Sequence, residues 1–433
     1  MSNQTAPPVT YRAVLQNRNY FWMWIGQAIS QIGDALSVVA IPLLVYQITG
    51  SALDLAISFM ITTLPWILIG PFAGVLVDRA DRRTVLIATD LIRVLFMLII
   101  FFTSNIYLIY VLLFLSQCMA TIFSPARSAV IPELVPREMY VKTIGLSYTT
   151  FQISQMIGPF LAAGLVALAG GARTIILLDS FTFLAAVLAT LMIRFPDSAR
   201  RSAARSAASS AGRSNGIVTI LSQMKEGAMT ILRTPLLRFA TMISLLRYLA
   251  RTVLLMGVLL YLKDGLGMSA TESDSLYTLV VSAAAVGTVL GTLLIGWKER
   301  SWERRLVIVG GVMLQGLCYV GVLLHPSAWW LIALFLLSGL FEAGAITPVS
   351  ALFAEGTPNE VRGRVYSVIN AILYAFSLLT YSVAGPVVET AGPVALIALG
   401  GLFMLIAAPL IAWSTGAYRL LKPDVPQGHT HSA

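Results

Sequence analysis

Seven ionisable residues lie within long apolar runs of the sequence, where a charge is expensive and is retained only if it is paired or useful. They are Asp34, Asp90, Arg93, Asp179, Arg247, Arg251 and Glu342. At the centre of a lipid bilayer each charge costs about 2.5–3.5 kcal/mol. Carboxylates in such places can form ion pairs, contact a substrate, or bind and release protons.

Asp34 ends a polar stripe. Gln27, Ser30, Gln31 and Asp34 are spaced i, i+3, i+4 and i+7, which places all four on one face of a helix. Such a face is expected to line a water-accessible cavity. A carboxylate that loses its water as the cavity closes favours the protonated form, so Asp34 could pass a proton from one side to the other.

Glu342 is the natural counterpart of this stripe in the second half of the chain. It lies deep in an apolar run, between Gly339 and Gly344, and the same argument about protons applies to it. The alternative for either acid is a buried structural ion pair, with Arg247 or Arg251 as the partner.

For the other acidic residues within the runs, Asp90 and Asp179, we expect an ion pair and access to water, respectively. Asp90 and Arg93, at i and i+3, are predicted to pair on their own helix. Asp179 lies five residues after Thr174, near the end of its run, where water can reach it. The residues predicted to serve proton coupling or to line a substrate cavity are Asp34, Glu342, Gln27, Gln31, Arg251 and Asp179.

The composition excludes a water-soluble protein. Apolar residues make up 57% of the chain and charged residues 11%, whereas soluble domains have about 25% charged residues. The net charge of +9 lies in short interruptions between apolar runs, which excludes a nucleic-acid partner. Cys118 and Cys318 both fall in apolar runs, so neither a disulfide framework nor a CxxC metal site is predicted.

Several catalytic and nucleotide-binding patterns are missing from the sequence. It contains no GxxxxGK[ST] phosphate loop, so ATP is not expected as a partner. It contains no HExxH or nucleophile-elbow pattern, so an enzyme is not expected either. Neither a cofactor nor a metal is predicted.

Twelve apolar runs of about 20 residues predict an all-α membrane protein with twelve transmembrane helices. The first six are Trp22–Ile48, Ile57–Leu76, Val85–Phe102, Ile106–Phe123, Leu146–Ala169 and Thr174–Phe195. The second six are Leu237–Leu262, Leu276–Trp297, Leu306–Leu324, Trp329–Leu352, Val368–Val387 and Val394–Trp413.

The distribution of basic residues predicts the orientation. Of the 29 Lys and Arg residues, 24 lie in the terminal segments and the loops of one side, two (Arg173 and Lys263) lie on the other, and three are inside spans. Since the excess of positive charge stays in the cytoplasm, both termini are predicted to be cytoplasmic in a multi-pass protein of the cell (inner or plasma) membrane.

The longest connection separates two predicted six-helix bundles, residues 20–195 and 235–415. Residues 196–234 begin with a Ser/Ala/Arg-rich stretch and are predicted to form a flexible cytoplasmic linker. Its arginines either set the topology or bind anionic membrane lipid. Residues 1–19 and 416–433 are predicted to be cytoplasmic segments.

The two halves resemble each other at three places. Asp81-Arg82-Arg83 recurs as Glu303-Arg304-Arg305, Ser124-Pro125 as Thr347-Pro348, and Gly158-Pro159 as Gly385-Pro386, at offsets of 222, 223 and 227. This spacing predicts a duplicated six-helix unit with two pseudo-symmetric bundles. Halves of this kind hold a small-molecule substrate near the midplane between them and expose it to each side in turn.

Residues 74–86, GVLVDRADRRTVL, resemble the loop motif of the major facilitator superfamily, written G-x-L-x-D-R-x-D-R-R-x-x-L. The texts GDALSVVAIPLLVYQITGS, FSPARSAVIPELVPRE and MIGPFLAAGL resemble its branch of macrolide-efflux and enterobactin-exporter-like proteins. The resemblance covers roughly residues 12–415.

The resemblance implies that the loop motif is a cytoplasmic gate. Its residues here are Gly74, Asp78, Arg79, Asp81, Arg82 and Arg83. In the family, the first aspartate of the motif meets the N-terminus of a helix of the other half, a contact worth about 0.3–2 kcal/mol that forms only while the cytoplasmic side is closed. A basic turn that only sets the topology is the alternative.

The resemblance also implies an antiporter-like motif in the fifth span, formed by Gly158, Pro159 and Gly164. A bend or a close helix contact explains the same residues without a role in transport direction. The fourth span departs from many proton-driven exporters of the family, because it has no arginine before Arg127 at its cytoplasmic end.

Together these observations predict a secondary active exporter of amphipathic organic compounds, such as macrolides or other drugs, with protons as the coupling ion. One alternative is export of a siderophore or a lipid-like metabolite without tight proton coupling. Another is a membrane scaffold or sensor of transporter descent.

Overall fold

The computed structural model describes residues 10–78, 80–169, 171–194, 216–264, 270–298, 303–324, 327–358 and 361–416. Within these ranges the chain is helical and contains no β-strand. Lipid offers no hydrogen bonds to the backbone, and a helix satisfies its own amide and carbonyl groups. The predicted all-α fold is confirmed.

The first six spans follow a short helix, Tyr11–Gln16. They are Arg18–Thr49, Ala52–Leu68 continued by Gly70–Asp78, Arg82–Phe102, Ile106–Leu134, Tyr140–Ala169 and Ala172–Leu191. The break in the second span is at Ile69, and a 3-10 turn, Arg137–Met139, precedes the fifth span.

The second six spans follow the linker. They are Pro235–Thr252 continued by a π-helical segment Val253–Gly257 and by Val258–Asp264, then Ala270–Lys298, Arg304–Val320 with a 3-10 turn Gly321–Leu324, Ala328–Gly356, Arg362–Ala391 and Pro393–Ser414. Ten of the described helices are long and apolar enough to cross a bilayer by themselves. With the divided second span and the 30-residue fifth helix, the predicted twelve spans are confirmed.

Capping side chains start several of these helices where the apolar runs begin. Asn17 Oδ1 accepts from the backbone N–H groups of Asn19 and Tyr20, both at 3.1 Å. Asp81 Oδ2 accepts from Thr84 N at 3.0 Å in the same way. These acceptors satisfy N–H groups that have no partner inside the helix.

The twelfth span shows why the runs are apolar. Leu399, Phe403, Ile406 and Leu410 recur at helical spacing and are each more than half exposed, whereas Met404 and residues on the opposite face are buried. Exposed large apolar side chains along a whole helix face are stable only against hydrocarbon. This face is therefore a lipid contact.

Several helices differ from the predicted boundaries by a few residues, and two departures are larger. The fourth span was predicted to end at Phe123, but its helix continues to Leu134, because a helix does not stop where lipid contact stops. The predicted flexible linker contains a helix, Gly216–Arg233, in which Glu226 pairs with Arg364 at 2.5 Å. Residues 196–215 of the predicted linker lie outside the described part of the chain.

The chain packs as two compact units. The first unit comprises Met1–Ser222, Leu254–Ser282 and Tyr374–Pro393, and the second comprises Gln223–Val253, Ala283–Leu373 and Val394–Ala433. The first unit therefore combines the first six spans with parts of the seventh, eighth and eleventh. The boundaries of the two predicted six-helix bundles stay a prediction.

Two ion pairs repeat the same geometry within the two units. In the first unit Arg82, at the start of the third span, pairs with Glu133 at the end of the fourth. In the second unit Arg304, at the start of the ninth span, pairs with Glu355 at the end of the tenth at 2.8 Å. Both members of the second pair lie 222 positions after those of the first, which supports the predicted duplication.

Glycines set the helix spacing around the tenth span. A Cβ atom at Gly339 would overlap the carbonyl oxygen of Ala284 in the eighth span, and one at Gly344 would lie 2.7 Å from the carbonyl oxygen of Val307 in the ninth. Close approach of this kind is typical of helices that pack in lipid. It holds the segment that contains Glu342 between two neighbouring helices.

Substitution of Gly339 by Ala is expected to destabilise the protein by about 1–3 kcal/mol, because the added methyl group must push two helix backbones apart. The matched control is Gly310→Ala in the ninth span, where a Cβ atom meets nothing within 4 Å. Thermal unfolding of the detergent-purified proteins measures both. Equal midpoints for the two variants would contradict the close packing.

Candidate functional site

Four ionisable side chains from three spans lie together inside the first unit. Arg93 of the third span interacts electrostatically with Asp34 of the first, Asp90 of its own helix and Asp179 of the sixth. The sequence singled out all four residues but did not place them in one cluster. We call these four residues the Arg93 cluster.

The strongest contact of the Arg93 cluster joins two spans. Arg93 Nη2 donates to Asp34 Oδ1 at 2.5 Å, and its guanidinium carbon lies 3.8 Å from the centre of the Phe183 ring. The Arg93 side chain is 5% exposed, whereas the Asp34 side chain is 40% exposed. Asp34 therefore has one side in contact with a buried cation and the other accessible from outside the protein.

Asp90 differs from its prediction. The predicted partner, Arg93, makes its short contact with Asp34 instead. Asp90 is 1% exposed, and neither of its carboxyl oxygens has a hydrogen-bond partner within the described residues. The reason is tertiary: the guanidinium turns toward the first span, a position that spacing along one helix does not reveal.

Asp179 also differs from its prediction, because it is buried rather than reached by water. It is 1% exposed and accepts hydrogen bonds from Ser37 Oγ at 2.5 Å and Thr182 Oγ1 at 3.1 Å. A Cβ atom at Gly33 would overlap both Asp179 Oδ1 and Thr182 Oγ1. The first span thus covers Asp179 with its backbone.

The predicted polar stripe is only partly accessible. Ser30 and Gln31 are buried, at 4% and 8% exposure, while Gln27 and Asp34 are half-buried. Gln27 Oε1 accepts from Arg127 Nη1 at 3.0 Å. The stripe therefore borders a small recess at its Gln27 end, and Asp34, its only carboxylate, is half-buried at the other end.

Arg127 was predicted only as a charge at the end of the fourth span, but the helix is longer than its apolar run and places it against the stripe. It lines a recess together with Tyr20, Trp24, Gln27 and Gln31. Its Nε is buried and has no hydrogen-bond partner among the described residues. A guanidinium in such a recess favours acceptor groups of a ligand or of water.

A second charged group lies in the second unit. Arg247 of the seventh span is 3.9 Å from the Glu342 carboxylate, and both side chains are about one quarter exposed. Arg251, one turn further along the helix, is exposed and interacts electrostatically with Glu342. Of the alternatives left open for Glu342, an ion pair with Arg247 is present, and it is loose enough to leave the carboxylate accessible.

Most residues of the predicted gating motif lie within the described part of the chain. Asp81 caps the third span, and Arg83 Nη2 donates to Leu191 O at 3.1 Å. Arg82 donates to Ala129 O at 3.1 Å in addition to its pair with Glu133. These contacts tie the motif to the fourth and sixth spans.

The other three positions of the predicted gating motif are Gly74, Asp78 and Arg79, and the described residues show no contact that explains them. A Cβ atom at Gly74 would meet nothing within 4 Å, so the structure gives no packing reason for this glycine. The Asp78 side chain and Arg79 lie outside the described part of the chain.

The fifth-span motif forms a close helix contact. A Cβ atom at Gly158 would overlap the Cβ of Ala35, which is next to Asp34 in the first span. Pro159 lies within the helix and is buried. Gly164 is exposed, and a Cβ there would meet nothing within 4 Å. Close packing therefore explains Gly158, as the simpler alternative expected, but not Gly164.

The sequence did not predict an interaction at the C-terminal end of the first span, within the first unit. Gln47 Nε2 of the first span donates to Asp274 Oδ2 of the eighth at 2.7 Å, and Asp274 pairs with Lys263 of the seventh. The Asp274 and Lys263 side chains are 6% and 8% exposed. In the same unit, Phe59 of the second span stacks on Tyr381 of the eleventh, with ring centres 4.8 Å apart.

Two other missed residues had a visible signal. Ser37 continues the polar stripe by three positions beyond Asp34, and Thr182 follows Asp179 at the same spacing. Both hydroxyl groups bond to Asp179. Helical periodicity, extended by one turn, would have found them.

Comparison with known proteins agrees with this architecture. A family model described as Major Facilitator Superfamily matches residues 23–246 and 240–431. Macrolide efflux protein A of Streptococcus pyogenes is 27% identical over 368 residues, which cover 82% of this chain and 85% of the relative. The Multidrug efflux pump Tap of Mycolicibacterium fortuitum is 27% identical over 391 residues, covering 88% and 90%.

Solved structures support the fold alone. The crystal structure of the nucleoside transporter NupG is similar with a TM-score of 0.67 at 12% sequence identity, over 93% of this chain and 99% of that one. At this identity the comparison says nothing about substrate.

Replacement of Arg93 by Met is expected to destabilise the protein, because three carboxyl groups lose their shared cation. We expect about 1–3 kcal/mol, less than the about 3–5 kcal/mol of a fully buried pair, since the Asp34 side chain is 40% exposed. Addition of Asp34→Asn to this variant should recover part of the loss. Thermal unfolding of the two single variants and the double variant gives the coupling energy.

The matched control for this cycle is Arg137→Met, which removes an exposed arginine of the 3-10 turn and should leave the unfolding temperature unchanged. If the effects of the Arg93 and Asp34 substitutions simply add, the two residues are not coupled in solution.

Proposed function

Because this chain belongs to the major facilitator superfamily, we propose that it is a proton-coupled exporter of amphipathic organic compounds, such as macrolides or other drugs, that works by alternating access. Its family makes it a multi-span membrane transporter of small molecules rather than an enzyme. The substrate class, the coupling ion and the direction of transport are the proposed parts.

The observation that carries the proposal is that Asp34 is both accessible and bonded to a buried arginine. Its carboxylate is 40% exposed, yet it bonds at 2.5 Å to an arginine that is 5% exposed. A carboxylate in this position can bind a proton or a cationic group from the accessible side in place of Arg93. It releases that proton or group when it pairs with Arg93 again. That exchange is the elementary step of an antiporter.

Glu342 supports the same scheme in the second unit. Its contact with Arg247 is 3.9 Å long, and a quarter of its side chain is accessible. A long, partly exposed ion pair holds a carboxylate in place weakly, at about 0–1 kcal/mol. Such a pair can open for a proton or a substrate without a large cost in stability.

The substrate class rests on two points. Two relatives that align over more than four fifths of this chain have names that state macrolide efflux and multidrug efflux. The few charges inside the spans argue against sugars, phosphates and dicarboxylates, which need many fixed polar partners. An amphipathic compound with one cationic group fits the two accessible carboxylates, Asp34 and Glu342, best.

The direction of the proposed transport depends on the orientation of the chain. We place both termini, and the gating motif with Asp78, Arg79, Asp81, Arg82 and Arg83, on the cytoplasmic side, from the distribution of Lys and Arg. In this arrangement the motif closes the cytoplasmic side through Asp78, and the close helix contact at Gly158, with Pro159 beside it in the fifth span, forms part of the antiporter-like motif.

Everted membrane vesicles that contain the protein are expected to accumulate a macrolide or a cationic dye when a pH gradient is applied. Asp34→Asn and Glu342→Gln should each abolish gradient-driven accumulation, because a neutral amide cannot exchange a proton. Uptake of labelled compounds from a panel of macrolides, dyes and siderophores, with and without the gradient, is the measurement.

The matched control is Glu138→Gln, which neutralises an exposed acid of the 3-10 turn and should leave uptake unchanged. Uptake of a siderophore or lipid-like compound that survives both substitutions would support uncoupled export instead. Failure to move any compound under either condition would contradict the proposal and favour a scaffold or sensor.

A further inference from the structure

The Arg93 cluster contains more acid than base. Asp34, Asp90 and Asp179 surround the guanidinium of Arg93, so the cluster has a charge of −2 when every group is ionised. Each uncompensated charge within a span costs several kcal/mol. The cluster is therefore expected to hold protons at rest.

Asp90 is the carboxyl group least able to remain ionised. It is 1% exposed, and both oxygens lack a hydrogen-bond partner among the described residues. Asp179 is equally buried but accepts from two hydroxyl groups, and Asp34 is 40% exposed and bonds to Arg93. A buried carboxylate without any donor is the most costly of the three arrangements.

We infer that Asp90 is a buried proton-binding site, and that Arg93 controls its occupancy by moving between Asp34 and Asp90. This inference rests on the proposed function, because it names a proton carrier for that transport. It assigns Asp90 a role other than the structural pair predicted from its spacing.

The exchange follows from charge balance. When Asp34 is neutralised by a proton or by a cationic group of the substrate, Arg93 loses the partner that holds it. Asp90 lies three residues before Arg93 on the same helix face, so the guanidinium can turn to it. The O–H bond of Asp90 then breaks, its proton passes to solvent on the exposed side of Asp34, and the positive charge of Arg93 replaces it.

The charged groups around Asp90 come from the packed helices. Arg93 is on its own span, and Asp34 is on the first. Asp179, on the sixth, faces both Arg93 and Asp34. Loss of the negative charge at Asp34 should therefore release Arg93, whose remaining carboxyl partners in the cluster are Asp90 and Asp179.

Infrared spectroscopy of the purified full-length protein tests the inference without substrate or transport. A protonated carboxyl group has a carbonyl stretch distinct from that of a carboxylate, and its intensity is followed from acidic to alkaline pH. We expect Asp90→Asn to remove one component of this band, while Glu138→Gln leaves the component intact. Persistence of the full band in Asp90→Asn would overturn the inference, as would loss of the same component in Asp179→Asn alone.

A second variant covers the case in which Asp90→Asn does not fold. Asp34→Asn, at the most accessible carboxylate of the cluster, should weaken the Asp90 component at neutral pH, because Arg93 loses its partner Asp34 and can turn to Asp90. An unchanged or stronger Asp90 component would overturn the inference. Since no flux is measured, failure here leaves the vesicle experiment to judge the proposed function by itself.

Discussion

The contact between Arg93 and Asp34 organises the polar interior of the first unit. A guanidinium suits this position because it is planar, always charged and able to donate in several directions, so that it interacts with three carboxyl groups and still lies on the Phe183 ring. In lipid-facing helices a lone charge is unstable. The cation permits three acids in neighbouring spans, and the acids in turn stabilise the cation.

Small residues bring these polar groups within reach of each other. The hydrophobic effect does not drive helices together inside a bilayer, so close packing and hydrogen bonds decide which faces meet. Gly33 lets the first span lie directly on Asp179 and Thr182, and Gly158 lets the fifth span approach Ala35. In the second unit Gly339 and Gly344 do the same around Glu342. The close helix packing at these glycines therefore positions the charged residues beside them.

The two repeats share ion pairs at the ends of their helices but differ in the charged residues inside their spans. The ion pairs Arg82–Glu133 and Arg304–Glu355 occupy corresponding positions. The residue that lies 222 positions after Arg93, however, is Gln315, a neutral amide buried beside Tyr319. Frame contacts satisfy helix ends in both halves alike, whereas an interior charge is tolerated only where partners from other spans surround it. The second half has its interior charges at other positions, among them Arg247 and Glu342.

The sequence by itself determined the helical class, the twelve spans and the duplication, because lipid imposes a length and a composition on every crossing helix. It also identified the ionisable residues, since each stands out in an apolar run. Tertiary structure alone decided their partners: Arg93 bonds to Asp34 instead of Asp90, Asp179 is buried, and Arg127 reaches Gln27. Spacing along one helix defines a face, but the guanidinium of a long side chain selects its acceptor from all the helices that pack around it.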